Sequence, residues 1–144
     1  MTDQLIITID QDDDGTAGLK AKVYSGSFSG EGEAWFKISE IRSFKNQLIE
    51  FAKTTENPPS IEGGNWDGKG NLKDTLLSLR FYSFSNYRCG VQVKLSDYPQ
   101  TDCREEEISR VSVELKPEAS KVILFAEQLD SLLHSNTGEA ILEC

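Results

Sequence analysis

The chain opens with short β-rich apolar runs set between polar turns. Leu5-Ile6-Ile7-Thr8-Ile9 is the first such run, and an acidic loop closes it. Lys20-Ala21-Lys22-Val23-Tyr24 reads as the returning strand. Gly26 to Gly32 reads as a Ser/Gly-rich turn region, and Glu33-Ala34-Trp35-Phe36-Lys37-Ile38 as a third strand. The pattern predicts an antiparallel meander.

A helical period follows. Ile41, Phe44, Leu48 and Phe51 fall at spacings of three, four and three, with Ser39 placed to cap the start. Those four form an apolar stripe, and Lys45, Asn46, Glu50 and Lys53 are left for water. Asn57-Pro58-Pro59 ends the helix, because proline cannot continue it and restricts the residue before it. Ser60 to Asn71 is rich in glycine, with Trp66 at its centre.

Two longer strands are then predicted, Thr75–Tyr82 and Gly90–Leu95. A polar loop covers Asp97–Glu106, and Ile108 to Leu115 alternates as a further strand. A second helix is expected near Pro117, with proline at a favoured first-turn position. Its stripe, Val122, Phe125, Leu129 and Leu132, repeats the spacing of the first. Asn136-Thr137-Gly138 stops it, and Glu139–Glu143 reads as a last short strand.

The two helices match beyond the stripe: Phe44, Gln47, Leu48 and Phe51 align with Phe125, Gln128, Leu129 and Leu132. Two explanations stay open. One is an internal duplication of a strands-then-helix unit. The other is that any helix lying on a sheet needs such a stripe. Either way the expected architecture is α+β, one domain over residues 1–144, with a single antiparallel β-sheet and both amphipathic helices on one face.

Charge narrows the partners. Against 15 basic residues stand 24 acidic ones, a formal net charge of −9. That field repels phosphate backbones, so no nucleic-acid partner is expected. It favours solubility and speeds encounter with a basic protein. Cys89, Cys103 and Cys144 are widely spaced with no C-x-x-C pair, which suits a reducing compartment better than a disulfide framework or a zinc site. MTDQLIITID lacks the basic segment of a signal peptide, and no stretch approaches the roughly 18 apolar residues of a membrane span. The expectation is a cytoplasmic protein with no membrane partner.

Candidate chemistry is sparse. Asp10-Gln11-Asp12-Asp13-Asp14-Gly15 has the D-x-D-x-D-G opening of a calcium-binding EF-hand loop. Such a loop needs a bidentate glutamate at its twelfth position, which here is Ala21, and flanking helices where this chain is β-rich. A hairpin connection using Asp and Gly for turn geometry is the simpler reading, beside weak contact with a cation or partner. The single histidine, His134, sits at the end of the second helix, where a cation is favoured, and no G-x-S-x-G pattern partners it. Gly63–Gly70 lacks the G-x-x-x-x-G-K-[ST] frame of a phosphate loop. Trp66 within it is either an interface anchor or a cap folded back on the sheet. A second acidic cluster, Asp102-Cys103-Arg104-Glu105-Glu106-Glu107, also lies in a connection entering a strand. At the same end of one sheet, the two clusters would make one negative patch. No catalytic residue, metal ligand or cofactor is expected; a small enzyme using paired carboxylates is the rival reading.

The order of the second half resembles a known family. Leu76-Leu77-Ser78-Leu79-Arg80-Phe81, then Gly90-Val91-Gln92-Val93-Lys94-Leu95, then Val111–Leu115, then Phe125-Ala126-Glu127-Gln128-Leu129-Asp130-Ser131-Leu132-Leu133 is similar to the WapI-like family of small bacterial immunity proteins. There a strand, a G-x-V-x-V strand and a further strand precede a helix of the form F-A-x-Q-L-x-x-L. The resemblance spans roughly residues 75–133 and rests on structural positions; the loops at 10–15 and 97–106 have no counterpart. It implies a non-enzymatic protein that binds and neutralises a polymorphic toxin, often a nuclease. The matched positions look like core, so partner-contact candidates come from chemistry alone: Asp12, Asp13, Asp14, Trp66, Glu105 and Glu106. A generic interaction or structural subunit is the alternative.

Overall fold

The structure is a computed structural model that describes residues 3–83 and 88–144. Three strands come first, β1 (Gln4–Gln11), β2 (Thr16–Ser25) and β3 (Phe28–Lys37), followed by helix α1 (Ile38–Thr54). Four more follow, β4 (Ser60–Trp66), β5 (Leu72–Ser83), β6 (Cys89–Ser96) and β7 (Arg110–Leu115). Helix α2 (Ala119–Ser135) and strand β8 (Ala140–Glu143) complete the chain. The α+β class is as the periodicity implies.

The single sheet is not. There are two four-stranded antiparallel sheets, ordered β3-β2-β1-β8 and β4-β5-β6-β7. Each is a three-strand meander with one extra strand added beside its first member. That extra strand always follows a helix: β4 after α1, and β8 after α2.

The halves therefore share one topology, with β8 doing for the first sheet what β4 does for the second. The registers agree. Row by row, Leu142–Leu5–Val23–Gly30 corresponds to Gly63–Leu77–Leu95–Val111, and Ala140–Ile7–Ala21–Gly32 to Ile61–Leu79–Val93–Val113. The helices agree as well. Both are 17 residues long, the second begins 81 positions after the first (38 to 119), and each ends on a left-handed residue, Thr55 or Asn136. Similar stripes alone would not produce matched strand order and register, so the repeat extends beyond the helices.

The core is continuous. It joins Leu5, Ile7 and Val23 of the first sheet, Leu77, Leu79, Phe81, Val91 and Val93 of the second, and the stripes of both helices. Side-chain alternation explains it: on β1 the odd residues Leu5, Ile7 and Ile9 are buried while Ile6 and Thr8 are partly exposed. Helix α2 packs on β1 and β8, α1 on β3 and β4, and the helices pack on each other. No helix of the described residues is long and apolar enough to cross a membrane.

Local expectations needed adjustment. β3 starts at Phe28, so most of the supposed 26–32 turn is strand and only Gly26 and Ser27 turn the chain. Glycine is there for space. A β-carbon on Gly32 would lie 2.7 Å from the backbone oxygen of Leu76, and one on Gly30 would lie 2.6 Å from Val111 Cγ1. β3 thus crosses the row Gly63–Leu77–Leu95–Val111 of the second sheet at near-backbone contact. The glycine-rich stretch from Ser60 is likewise strand β4, bulged between Gly63 and Gly64.

Ser39 does not cap α1; the helix begins at Ile38, and the Glu40 carboxylate accepts the Lys37 backbone N–H at 3.1 Å. Pro117 precedes α2, where its carbonyl accepts the Cys89 N–H. Lys45 is not left for water: its side chain is only 12% exposed and pairs with Asp130 of α2 at 3.1 Å.

Candidate functional site

The predicted contact residues do not gather in one place. Asp12, Asp13 and Asp14 form the β1–β2 turn, at the end of the first sheet where Thr16 pairs with Lys37. Asp12 donates its N–H to the Thr16 carbonyl at 2.9 Å and accepts the Asp13 N–H at 3.0 Å. One Asp14 oxygen accepts both the Thr16 hydroxyl at 2.6 Å and the Thr16 N–H at 3.0 Å. These bonds, the hydroxyl foremost, hold the Asp14 carboxyl below its ordinary pKa. Gly15 completes the turn at φ +86°. The loop is built as a hairpin connection, and two of its three aspartates serve the turn.

Glu105 and Glu106 sit in a 3₁₀ turn of the β6–β7 loop, with Glu105 paired to Arg110 at 2.7 Å. That loop meets the other end of β3, where Val111 touches Gly30. The two acidic clusters therefore lie toward opposite ends of β3, roughly 20 Å apart at the ordinary strand rise. They do not make one negative patch.

Trp66 ends β4 and is 55% exposed, so it does not fold back as a buried cap. The turn beyond it is ordered by Asp67, whose carboxylate accepts the N–H groups of Lys69 and Asn71 at 2.7 and 2.9 Å. Those backbone bonds lower the Asp67 pKa. His134, also exposed, turns its Nδ1 to the Asp130 carbonyl at 2.8 Å, a contact within the last helical turn.

A different set converges. Between β3, Leu76 of β5 and the ends of β4 and β6 lies a half-open cleft of about 360 Å³. It exists because Gly32 lets β3 touch the second sheet, and the strand then runs on past it while the β4 bulge at Gly63/Gly64 bends that edge. Trp35 and Tyr98 line it, 49% and 65% exposed, together with Glu31, Glu33 and Asp97. Lys20 is the one cation of the lining, and Asn65 is tied to Asp74 at 3.1 Å. Trp35 is held from beneath by Gly18, where a β-carbon would come within 3.2 Å of its ring.

Glu31 is neutralised by Lys22 across the strand pair at 3.7 Å. The carboxylates of Glu33 and Asp97 have no ion-pair or hydrogen-bond partner among the described residues. Sequence reading missed this set. The sequence pattern gives Trp35 a strand and Tyr98 a loop; β-period and register turn Trp35 outward, but nothing local joins it to Tyr98.

Comparison with protein-family models, with curated proteins and with solved structures found no match to this chain.

Proposed function

We propose that this chain is a protein-binding protein that captures a basic protein partner, and that the partner is a toxin domain which it neutralises. The observation that carries the reading is a concave surface with exposed aromatic side chains beside unpaired carboxylates, Trp35 and Tyr98 with Glu33 and Asp97. Exposed tryptophan and tyrosine are the side chains on which protein interfaces concentrate their binding energy. The net charge of −9 adds long-range attraction for a cationic partner. The resemblance to WapI-like immunity proteins supplies the toxin; composition and geometry supply only the basic partner.

The test is genetic. The reading frame beside this gene is inspected for a large product with a toxin-like C-terminal domain, and that domain is expressed alone and together with this chain. Rescue of growth by co-expression, with a stable complex on gel filtration, is the expected result. A neighbouring toxin domain whose lethality is unchanged, or the absence of such a frame together with no protection against other candidate toxins, overturns the reading.

A further inference from the structure

Five large apolar or aromatic side chains are exposed among the described residues: Phe28, Trp35, Trp66, Tyr98 and Leu124. Two of them line the same cleft: Trp35 on β3 of the first sheet, and Tyr98 in the loop that follows β6 of the second. Leaving two such rings in water costs apolar burial that a closed cleft would recover. The carboxylates beside them are also unused. Of the three acids of the lining, Glu31 is taken up by Lys22 from outside the cleft, and Lys20, opposite Glu33 in the β2–β3 ladder, leaves one net negative charge. What remains is an aromatic wall with uncompensated negative charge.

We propose that this cleft is the contact surface for a cationic loop of the protein partner, with one arginine guanidinium seated against Trp35 and Tyr98 and between Glu33 and Asp97. This rests on the reading of the chain as a binder of basic protein. Arginine fits better than lysine for two reasons. Its planar guanidinium stacks on aromatic faces, and its fork of N–H donors can serve two carboxylates at once. Trp35 suits stacking because Gly18 supports one side of the ring and leaves the rest half exposed. The cleft volume of about 360 Å³ is near the low end for ligand pockets, the scale of one inserted side chain with its neighbours.

The two tryptophans give the experiment an internal control. The full chain is titrated with blocked Gly-Arg-Gly peptide while the indole N–H resonances of Trp35 and Trp66 are followed by NMR. A saturating shift at Trp35 with little change at Trp66 is expected, and a Gly-norleucine-Gly peptide should produce none. The double variant E33Q/D97N should weaken the response about tenfold, as loss of charge-assisted bonds implies. Trp35→Leu, assigned by its missing resonance, should remove it at Tyr98 as well. Equal shifts at both indoles, no saturation, or no effect of E33Q/D97N overturns the assignment.

Growth assays separate this inference from the one beneath it. If wild type protects against a toxin and both E33Q/D97N and W35L protect equally, the cleft is not the contact surface, although the binding function stands. If arginine saturates the cleft but no basic protein is bound, the cation site stands and the toxin reading fails.

Discussion

Gly30 and Val111 occupy equivalent positions in the two halves of the molecule, and they touch. A β-carbon on Gly30 would fall 2.6 Å from Val111 Cγ1. The repeat thus meets itself here, one copy carrying no side chain and the other a branched one. Two valines could not occupy the place.

Gly30→Ala should therefore destabilise by about 1–3 kcal/mol, the usual cost of overpacking a close contact. Val111→Ala in the same chain should recover part of that loss, since it removes the nearest methyl. Urea denaturation of both single variants and the double gives the coupling energy. Additive losses would show that the contact is relaxed elsewhere. Gly68→Ala, with nothing within 4 Å of its β-carbon, should change stability by less than about 0.5 kcal/mol.

The Lys45–Asp130 pair ties α1 to α2, with the lysine side chain largely buried and the aspartate partly exposed. In the other helix the equivalent of Lys45 is Ala126, which is buried. Asp130→Ala should cost about 1–3 kcal/mol, because Lys45 then keeps its desolvation without its partner. Lys45→Met should be near neutral, since an apolar chain of similar length suits the same place. Thermal melts that rank the two in the opposite order would place the pair's weight on the exposed Asp130 side.

Asp14 and Asp67 each hold a turn through their ionised carboxylates, and both have lowered pKa values. A carboxyl more acidic in the folded chain stabilises it above the unfolded pKa, and that contribution disappears as pH falls through the folded value. Acid titration should release the Thr16, Lys69 and Asn71 amide protons to faster exchange below the normal carboxylate range, ahead of the core strands. Asp14→Asn should remove the dependence at Thr16 and leave Asn71 unaffected.

Burial pushes the Cys89 thiol up, and the Cys144 thiol, although that residue is exposed as a whole, is pushed to about 11 by lost hydration first and by the Asp3 carboxylate second. At pH 8 the Cys144 thiolate should be about a hundredfold scarcer than that of an ordinary cysteine at 9.0. Iodoacetamide at pH 8 should thus modify Cys144 slowly in the native protein and rapidly in urea. Equal rates in both conditions would refute the shift.

Much of the fold is legible locally because helices and central strands carry their own period. The stripes Ile41-Phe44-Leu48-Phe51 and Val122-Phe125-Leu129-Leu132 are buried as their spacing implies. Failure came where a residue answers to a distant neighbour. Ser29-Gly30-Glu31-Gly32 has turn composition, but Gly30 and Gly32 are small because another sheet crosses them. The same holds for Lys45, a solvent residue by pattern that a carboxylate from the other helix draws inward. The cleft is the extreme case, since Trp35 and Tyr98 are brought together only by two sheets whose separation the chain does not announce.

The strand that completes the first sheet has a consequence for how the molecule is made. β4 to β7 are contiguous in sequence, so the second sheet can assemble from neighbouring segments. The first sheet cannot: Leu5 pairs with Leu142, and the Cys144 N–H is donated to the Asp3 carbonyl at 3.0 Å. Closing so long a loop comes late in folding. During synthesis β1 should wait as an open edge until β8 leaves the ribosome, and pulse-labelled hydrogen exchange should find β5 and β6 protected before β1. The order of assembly should then be set by β8, the shortest of the described strands.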